Sequence, residues 1–341
     1  MRRGAIVELV AFGLVAAAVA TAVAVGFHWL PTEASVQAGR IFFLYWLATG
    51  ISILVFSVVT SVLVYSIIHF RAAPDDESDG PPIHGNTKLE ITWTLIPTVL
   101  VVTIGVASAI VLSRDSDAGT NPLIVNVTAE QFEWQFAYPH DGNVNSPTLR
   151  VPLGRTVKLV MNTRDVIHSF WVPEFAQKQD VVPGITTTLV ITPNRLGTYP
   201  LICTELCGLG HALMRSEAIV MTPGAFDSWT KSTASAVSGG GPAAGKAVFL
   251  AQGCGACHTF KAAGATGKVG PDLDTAIVKD AQLAGLSVPD FVRQSITDPN
   301  AYISPGFPKN VMPGNFGSLP KSQLDALVNY LVPPSTKTVN P

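Results

Sequence analysis

Residues 203–214 read CTELCGLGHALM, a short segment that contains several side chains able to bind a metal ion. These side chains are Cys203, Cys207, His211 and Met214. Their spacing is nearly helical, but Gly208, Gly210 and the nearby Pro200 disfavour a helix, so we expect a loop that folds around a ligand. Thiolate, imidazole and thioether groups are soft ligands that favour copper or zinc over magnesium or calcium.

The composition is that of a membrane protein. The chain has 341 residues, enough for two or three domains, and is 48% hydrophobic. Only 13% of its residues are charged, against roughly 25% in soluble domains. The apolar excess lies at about Ala5–Phe27, Ile41–Ile68 and Ile91–Leu112, and each run is long enough to span a lipid bilayer. The net charge of −2 gives no basis for binding nucleic acid.

The distribution of basic residues predicts the orientation in the membrane. Residues 1–34 are either a signal peptide or a first transmembrane segment, and the lack of a clear A-x-A site favours retention. Residues 35–115 are predicted to form a transmembrane helical hairpin with a cytoplasmic loop at 70–90. With Arg2 and Arg3 inside, the residues after 114 are expected on the outer, periplasmic face of a bacterial cell membrane.

Two further domains follow the membrane region. Residues 116–231 contain short alternating segments bounded by Pro, Gly and Asn, which predict a β-sandwich or barrel. Examples are LIVNVTA, FEWQFAY, TVKLVMNT, TTTLVIT and SEAIVMT. Residues 232–243 are small and polar and predict a flexible linker. Residues 244–334 have helical patterns around 243–253, 287–297 and 320–332, followed by a tail at 335–341.

The helical domain carries a haem attachment motif. Cys254 to His258 read CGACH, and C-x-x-C-H is the pattern in which two thiols bind one haem c covalently and the histidine ligates its iron. A low-spin haem needs a second axial ligand, usually Met or His. Met312 is predicted for that role, because the domain contains no other histidine or methionine. Gly270-Pro271 resembles the segment of class I cytochromes c whose proline carbonyl accepts from the axial histidine, so the domain resembles an all-α class I cytochrome c.

A histidine for the loop at 203–214 can be found by elimination among the seven in the chain. His28, His69 and His84 belong to the membrane region, His140 to a turn and His258 to the haem motif. His168 remains, near the end of a predicted strand. One Cys, one Met and two His on a β-sandwich are typical of a mononuclear blue-copper site. The additional cysteine allows two thiolates to bridge two copper ions, each with one histidine. Two small-loop disulfides, and a zinc site, are the alternatives.

The combined pattern H…C-x-E-x-C-x-x-x-H-x-x-M, after a two-helix hairpin, resembles subunit II of the haem–copper oxidases. With the cytochrome domain, the chain resembles the caa-type cytochrome c oxidases whose subunit II carries a fused C-terminal cytochrome c. This resemblance implies a cupredoxin-like sandwich that holds the binuclear copper centre CuA. It implies that Cys203 and Cys207 bridge the coppers, that His168 and His211 are terminal ligands, and that Met214 and the Glu205 carbonyl are weak axial ligands.

The resemblance implies further roles. The Glu205 carboxylate corresponds to a magnesium ligand at the boundary with subunit I. Phe132 stands where many members of the family have an electron-entry tryptophan, and Trp134 keeps the second aromatic position. Glu90 corresponds to a glutamate at the mouth of a proton pathway. The metal-binding side chains leave no nucleophile or base free, so we expect no catalytic residue in this chain.

These features predict an electron-transfer subunit. Electrons would pass from cytochrome c or another external donor to haem c, then to CuA, and then to subunit I. Subunit I would hold haem a and the haem–copper centre that reduces oxygen to water and pumps protons, and subunit III is a further expected partner. The alternatives are the electron-entry subunit of a CuA-type nitric oxide reductase, a copper-delivery protein, and a membrane-tethered electron carrier without a fixed partner.

Overall fold

The computed structural model describes residues 3–71, 82, 84–238 and 242–334. The chain divides into two compact units. Unit 1 consists of Met1–Glu33 and Gln37–Asp117, and unit 2 of Ala34–Val36 and Ala118–Pro341. The predicted tail at 335–341 and most of the predicted loop at 70–90 lie outside the described residues.

Unit 1 contains the three apolar runs as long helices. These are α1 (Arg3–Gly26), α2 (Val36–His69) and α3 (Thr87–Asp115), all long and apolar enough to cross a membrane, which confirms the predicted spans. The start of α2 and the end of α3 are joined by an ion pair of 2.8 Å between Arg40 Nη1 and Asp115 Oδ1. This pair fixes the open end of the hairpin.

Helix α1 contacts α2 through polar and small side chains. Glu8 Oε2 lies 2.6 Å from His69 Nε2, and the Ser61 hydroxyl donates to the Leu9 carbonyl. A Cβ at Gly13 would be 3.7 Å from the Ser61 Cβ, so the two helices approach closely at this point. Retention of residues 1–34 stays a prediction.

The first part of unit 2 is a two-layer sandwich, the copper domain of the sections below. Its strands are β1 (Leu123–Glu130), β2 (Glu133–Tyr138), β3 (Val144–Ser146), β4 (Leu149–Pro152), β5 (Val157–Thr163), β6 (His168–Val172), β7 (Gln177–Val181), β8 (Thr187–Ile191), β9 (Gly197–Cys203) and β10 (Arg215–Met221). Among the described residues they form two five-stranded sheets, ordered β3-β2-β1-β5-β8 and β4-β10-β9-β6-β7. Each of the five alternating segments contains a strand, so the predicted sandwich is confirmed.

The core lies between the two sheets because alternate residues of each strand point inwards. Val125 and Phe136 of one sheet and Phe170 and Leu201 of the other are fully buried. Strands β9 and β10 pair antiparallel, with Ile202 opposite Arg215, and residues 204–214 connect them. The segment CTELCGLGHALM therefore leaves the sandwich at one strand and returns at its neighbour. This confirms the loop expected from its glycines.

The predicted linker is partly helical. Residues 232–238 form the end of α4 (Pro223–Ser238), residues 239–241 are outside the described part, and α5 (Pro242–Ala251) begins at Pro242. Helix α4 is anchored because the ring centroid of Trp229 lies 5.1 Å from that of Tyr138. Its Ala and Ser residues are compatible with a helix once the first turns are packed. Composition alone could not reveal the contact between Trp229 and Tyr138 that packs them.

The second part of unit 2 is the haem domain. It contains α5, α6 (Cys254–Cys257), α7 (Leu273–Ala284), α8 (Val288–Thr297), α9 (Lys321–Leu331) and a ribbon of β11 (Thr259–Phe260) and β12 (Ala265–Thr266). Helices α5, α8 and α9 match the predicted segments, whereas α7 and the ribbon were not predicted. Helices α5 and α9 cross at Gly245, where a Cβ would overlap the Ala326 carbonyl and the Tyr330 Cβ.

Replacing Gly245 with alanine is expected to destabilise the haem domain. Helix propensity alone would favour alanine by about 1 kcal/mol. The clash with α9 opposes this, and overpacking typically costs about 1–3 kcal/mol. Gly224→Ala is the matched control, because its Cβ would meet nothing within 4 Å. Denaturant unfolding followed by circular dichroism measures both, and a more stable G245A would contradict the observed crossing.

Candidate metal centre and haem site

The loop between β9 and β10 brings its soft ligands together. The sulfurs of Cys203 and Cys207 are 3.9 Å apart. His211 Nδ1 lies 3.6 Å from Cys207 Sγ, and Met214 Sδ lies 3.7 Å from the same sulfur. The carbonyl oxygen of Glu205 is 3.3 Å from Cys203 Sγ. All four cysteines of the chain are free thiols, which does not fit the alternative of two small-loop disulfides.

His168 reaches this cluster from a different strand. It begins β6, which pairs with β9 so that Phe170 lies opposite Cys203. Its Nδ1 is 3.9 Å from Cys203 Sγ. Its Nε2 is 2.8 Å from Asp165 Oδ1. When Nε2 carries the proton and donates to Asp165, Nδ1 faces the sulfurs with a free lone pair.

The local environment favours a thiolate at Cys203. Burial raises the pKa of this thiol, but hydrogen bonds with His168 and the Ser169 and Glu205 backbones outweigh burial and lower the pKa below its ordinary value. Burial and the neighbouring Cys203 charge instead raise the pKa of Cys207. Two adjacent thiolates repel each other, so a cation between them is needed before both can be deprotonated.

The donor atoms therefore fit a metal centre. The ligand atoms of His168, Cys203 and Cys207 all lie within 4.8 Å of one another, and all three residues are buried. Met214 is also fully buried. A thioether, two thiols and two imidazoles suit copper, while carboxylate-rich cages suit magnesium or calcium.

Residues before β2 hold the outer side of the loop. The Gln131 side-chain amide donates to the Cys207 carbonyl. The Phe132 ring covers the loop so closely that a Cβ at Gly210 would overlap it, which explains a glycine there. Trp134 is buried, and its ring centroid lies 6.2 Å from that of His168. Both predicted electron-entry aromatics thus lie next to the candidate metal centre.

Two predicted site residues have different surroundings. The Glu205 carboxylate is exposed beside the loop. Glu90 lies in unit 1, where its Oε1 accepts from the Asn86 backbone N–H at 3.1 Å and Asn86 Oδ1 accepts from Leu89 N at 3.2 Å. Glu90 therefore caps the start of α3, the ordinary role of a carboxylate at this position.

The haem domain contains a cavity that is open to solvent on one side, with about 1280 Å³ of empty volume including its mouth. Cys254, Cys257, His258 and Met312 all line it, so the structure brings the attachment motif and the predicted axial methionine to one space. His258 Nδ1 lies 2.9 Å from the Pro271 carbonyl oxygen, the hydrogen bond expected from Gly270-Pro271. This bond leaves Nε2 free to ligate iron.

The cavity fits a flat macrocycle for two further reasons. Most of its walls are apolar, from Phe249, Ile277, Phe291 and other side chains of the helices. A Cβ at Gly270 would come within 2.6 Å of the His258 ring, so only glycine lets the proline loop approach the imidazole. Burial lowers the pKa of His258, and its bond to Pro271 opposes that shift. The imidazole is therefore neutral, as an iron ligand must be.

Strand β2, which directly follows the residues that cover the copper loop, reaches the haem cavity. Glu133 lines the cavity together with Cys254 and Cys257. Gln135 Nε2 donates to the Gln252 carbonyl oxygen at 2.8 Å, which ties β2 to the turn between α5 and α6. A Cβ at Gly253 would lie only 2.8 Å from Gln135 Nε2, so this turn sits directly on the copper domain.

Sequence reasoning did not identify Gln131, Asp165, Glu133 or Gln135 as site residues. Asp165 carried a weak signal, because it stands three residues before His168 in a turn. The other three lie within the aromatic stretch 131–138. Their role depends on which loops pack against that strand, which no local pattern encodes.

Comparison with known proteins gives the family. Three family models match: cytochrome c oxidase subunit II transmembrane domain at 22–111, cytochrome c oxidase subunit II periplasmic domain at 141–222, and cytochrome c at 242–333. Cytochrome c oxidase subunit 2 of Synechocystis sp. is 37% identical, over 61% of this chain and 76% of the relative. The subunit 2 proteins of Thermostichus vulcanus and Alkalihalophilus pseudofirmus are 34% and 32% identical, over 61% and 82% of this chain and 80% and 84% of the relatives.

These matches agree with the architecture, with the copper-binding side chains of the loop and with the haem-binding side chains of the cavity. They imply copper in the sandwich, haem c in the helical domain, and a subunit I partner. The chain belongs to the cytochrome c oxidase subunit II family, as an electron-transfer subunit that carries a C-terminal cytochrome c domain.

Proposed function

We propose that this chain accepts electrons at a haem c and passes them through a binuclear CuA centre to subunit I, where oxygen is reduced. The observation that carries the copper part is the pair of buried thiols 3.9 Å apart, each with its own imidazole. Copper and haem iron supply reversible one-electron chemistry when bound. The protein's part is to hold them, exclude water and provide a path between them.

The arrangement of donors supports two metal ions over one. A metal–sulfur bond is about 2.3 Å, so an ion can contact both sulfurs across 3.9 Å. The imidazoles are associated with different sulfurs, His168 with Cys203 and His211 with Cys207. Met214 lies beside Cys207 and the Glu205 carbonyl beside Cys203, so each ion would have one additional, weaker donor.

In the haem domain, we assign Cys254 and Cys257 to covalent attachment and His258 and Met312 to the iron. The bond from His258 to the Pro271 carbonyl holds the ring in one orientation. Apart from His258 and the two attachment cysteines, Met312 is the one side chain with a soft iron-binding atom among the described residues that line the cavity.

The segment from Gln131 to Gln135 is the proposed path between the two sites. Glu133 borders the haem cavity, Phe132 lies against Gly208 and Gly210 of the copper loop, and Gln131 binds the Cys207 carbonyl. Consecutive residues at the turn into β2 therefore touch both sites. Electrons would enter the copper centre through Phe132 and Trp134, from the attached haem domain.

Partners are proposed from the surface around the loop. Leu206, Leu209 and Leu213 are exposed by 79%, 109% and 66%, which suits a surface covered in the assembled complex. We place subunit I there, with Glu205 as a possible carboxylate ligand of a magnesium ion at the boundary. Subunit III and an external donor, cytochrome c or another one-electron carrier, complete the proposed set. A proton-pathway role for Glu90 remains a proposal, with helix capping as its observed role.

The proposed location is the cytoplasmic membrane of a bacterium. Residues 35–115 form the transmembrane hairpin, residues 116–231 the copper domain and residues 244–334 the haem domain. Both cofactor domains would face the periplasm.

The copper assignment predicts a specific spectrum. The mature full chain should contain two coppers per haem and give a seven-line hyperfine pattern in electron paramagnetic resonance, because one unpaired electron is shared by two equivalent nuclei. Cys207→Ser should abolish the pattern by removing a bridging sulfur. Met221→Leu, in a partly buried position of β10 away from the loop, is the control. A four-line signal or bound zinc would refute the binuclear assignment.

The haem assignment predicts the effect of removing Met312. Met312→Ala should leave haem attachment intact but open the sixth coordination position, so the reduced haem should bind carbon monoxide while the wild type does not. Optical spectra of the reduced protein under carbon monoxide measure this directly. A variant that excludes carbon monoxide as well as the wild type would show that another group ligates the iron.

A further inference from the structure

One carboxyl group in the wall of the haem cavity has no role in either cofactor site. Glu133, the first residue of β2, is only 8% exposed. It borders the cavity next to the two attachment cysteines. Its Oε1 accepts a long hydrogen bond of 3.5 Å from Gln135 Nε2. Its other oxygen lies 3.6 Å from where a Cβ at Gly253 would be.

The charges around Glu133 do not neutralise it. On the copper-domain side the nearest are Glu130 and Arg164, which pair with each other at 3.1 Å. On the haem side the titratable groups at the cavity are His258, Asp280, Tyr302 and the two cysteines, and the cysteines no longer titrate once they form thioethers with haem. Asp280 is also buried and accepts a hydrogen bond of 2.5 Å from Ser304. Among the described residues that line the cavity there is no Lys or Arg.

Glu133 is consequently poised between its charged and neutral forms. Burial raises the pKa of this carboxyl to about 7, the Gln135 hydrogen bond lowers it, and the repulsion of Glu130 adds to the rise. A change of charge at a group that borders the cavity strongly alters the electrostatic potential at the Glu133 carboxyl, because little solvent separates the two.

We propose that Glu133 binds a proton when an electron enters the haem domain and releases it when the electron moves on to the copper centre. This inference rests on the proposed haem function. In each cycle an external one-electron donor is oxidised, the haem site gains one electron, and one Glu133 carboxylate oxygen takes one proton from solvent to form an O–H bond. Transfer of the electron to copper reverses both changes. Glu133 is thus not a catalytic residue: it acts through the haem, by binding a proton while the electron resides there.

The sign of the effect follows from electrostatics. An added electron makes the cavity more negative, so the pKa of Glu133 is higher with the haem reduced than with it oxidised. Between these two pKa values reduction takes up a proton, and the midpoint potential falls as pH rises. For a one-electron couple, the midpoint potential can fall by at most about 59 mV for each tenfold decrease in proton activity, which is one pH unit. Above the window, the ionised carboxylate keeps the potential low.

The test is a spectroelectrochemical titration of haem c in the mature full chain, from pH 5.5 to 9. We expect the wild-type potential to fall as pH rises around pH 7. Glu133→Gln keeps the shape of the side chain but cannot ionise, so its potential should be nearly independent of pH and higher than wild type at alkaline pH. Glu217→Gln, the same change at an exposed position of β10, should retain the wild-type slope.

Two further measurements make the outcome decisive. Asp280→Asn tests the other buried carboxyl, and loss of the slope in this variant with its retention in E133Q would overturn the proposal. In the infrared difference spectrum, reduction should produce a protonated-carboxyl band in the wild type that is missing in E133Q. A covalently bound haem with a pH-independent wild-type potential would refute this inference alone. Failure to attach haem would refute the proposed function as well.

Discussion

The register between strands β6 and β9 is the constraint on which the copper site depends. Phe170 lies opposite Cys203, and this alignment brings His168 to the sulfur from across the sheet. Because side chains alternate between the two faces of a strand, a slip of one residue would turn His168 out of the site. The buried aromatic side chains Trp134 and Phe170, whose ring centroids are 5.7 Å apart, oppose such a slip. The hydrophobic core therefore sets the position of a polar ligand.

The two cofactor sites use different hydrogen-bond acceptors to orient their histidines. In the copper domain a carboxylate, Asp165, supports the histidine and also accepts from the Gln131 and Val166 backbones. In the haem domain a neutral carbonyl, that of Pro271, has the same function. A carboxylate makes the attached imidazole a stronger donor to a metal, whereas a carbonyl fixes its orientation with a smaller effect on charge. Both sites nevertheless leave one ring nitrogen free and pointing at the metal-binding space.

The sequence predicted most of the architecture because its signals were local. Uninterrupted apolar runs, alternating segments and two ligand motifs each lie within a short window, and the structure contains all of them. The alternating segments quoted from the sequence do not include the short strands β3, β4, β6, β7 and β9, whose sequences mix polar and apolar residues without clear alternation. Helix α4 was missed because Ser and Ala also occur in linkers, and the packing of Trp229 on Tyr138 decides between the two.

The non-local parts of the site were beyond prediction for a related reason. Glu133 and Gln135 look like ordinary polar residues on the solvent side of a strand. They acquire their surroundings only because the turn at Gly253 packs against them, more than a hundred residues further along the chain. Such contacts between domains depend on surface shape rather than on periodicity. The carboxyl that is now buried was therefore indistinguishable from an exposed one in the sequence.

The contact between Gln135 and Gln252 has a kinetic consequence. It joins an amide to a backbone carbonyl and involves no formal charge, so dissolved ions do not screen it as they screen encounters between oppositely charged proteins. A covalent connection also replaces diffusion by an effective concentration on the order of millimolar for short flexible linkers. On the proposed path, delivery of electrons to the copper domain would be independent of ionic strength and of the abundance of a soluble carrier. Only the earlier encounter with an external donor, at the haem domain, would retain those dependences.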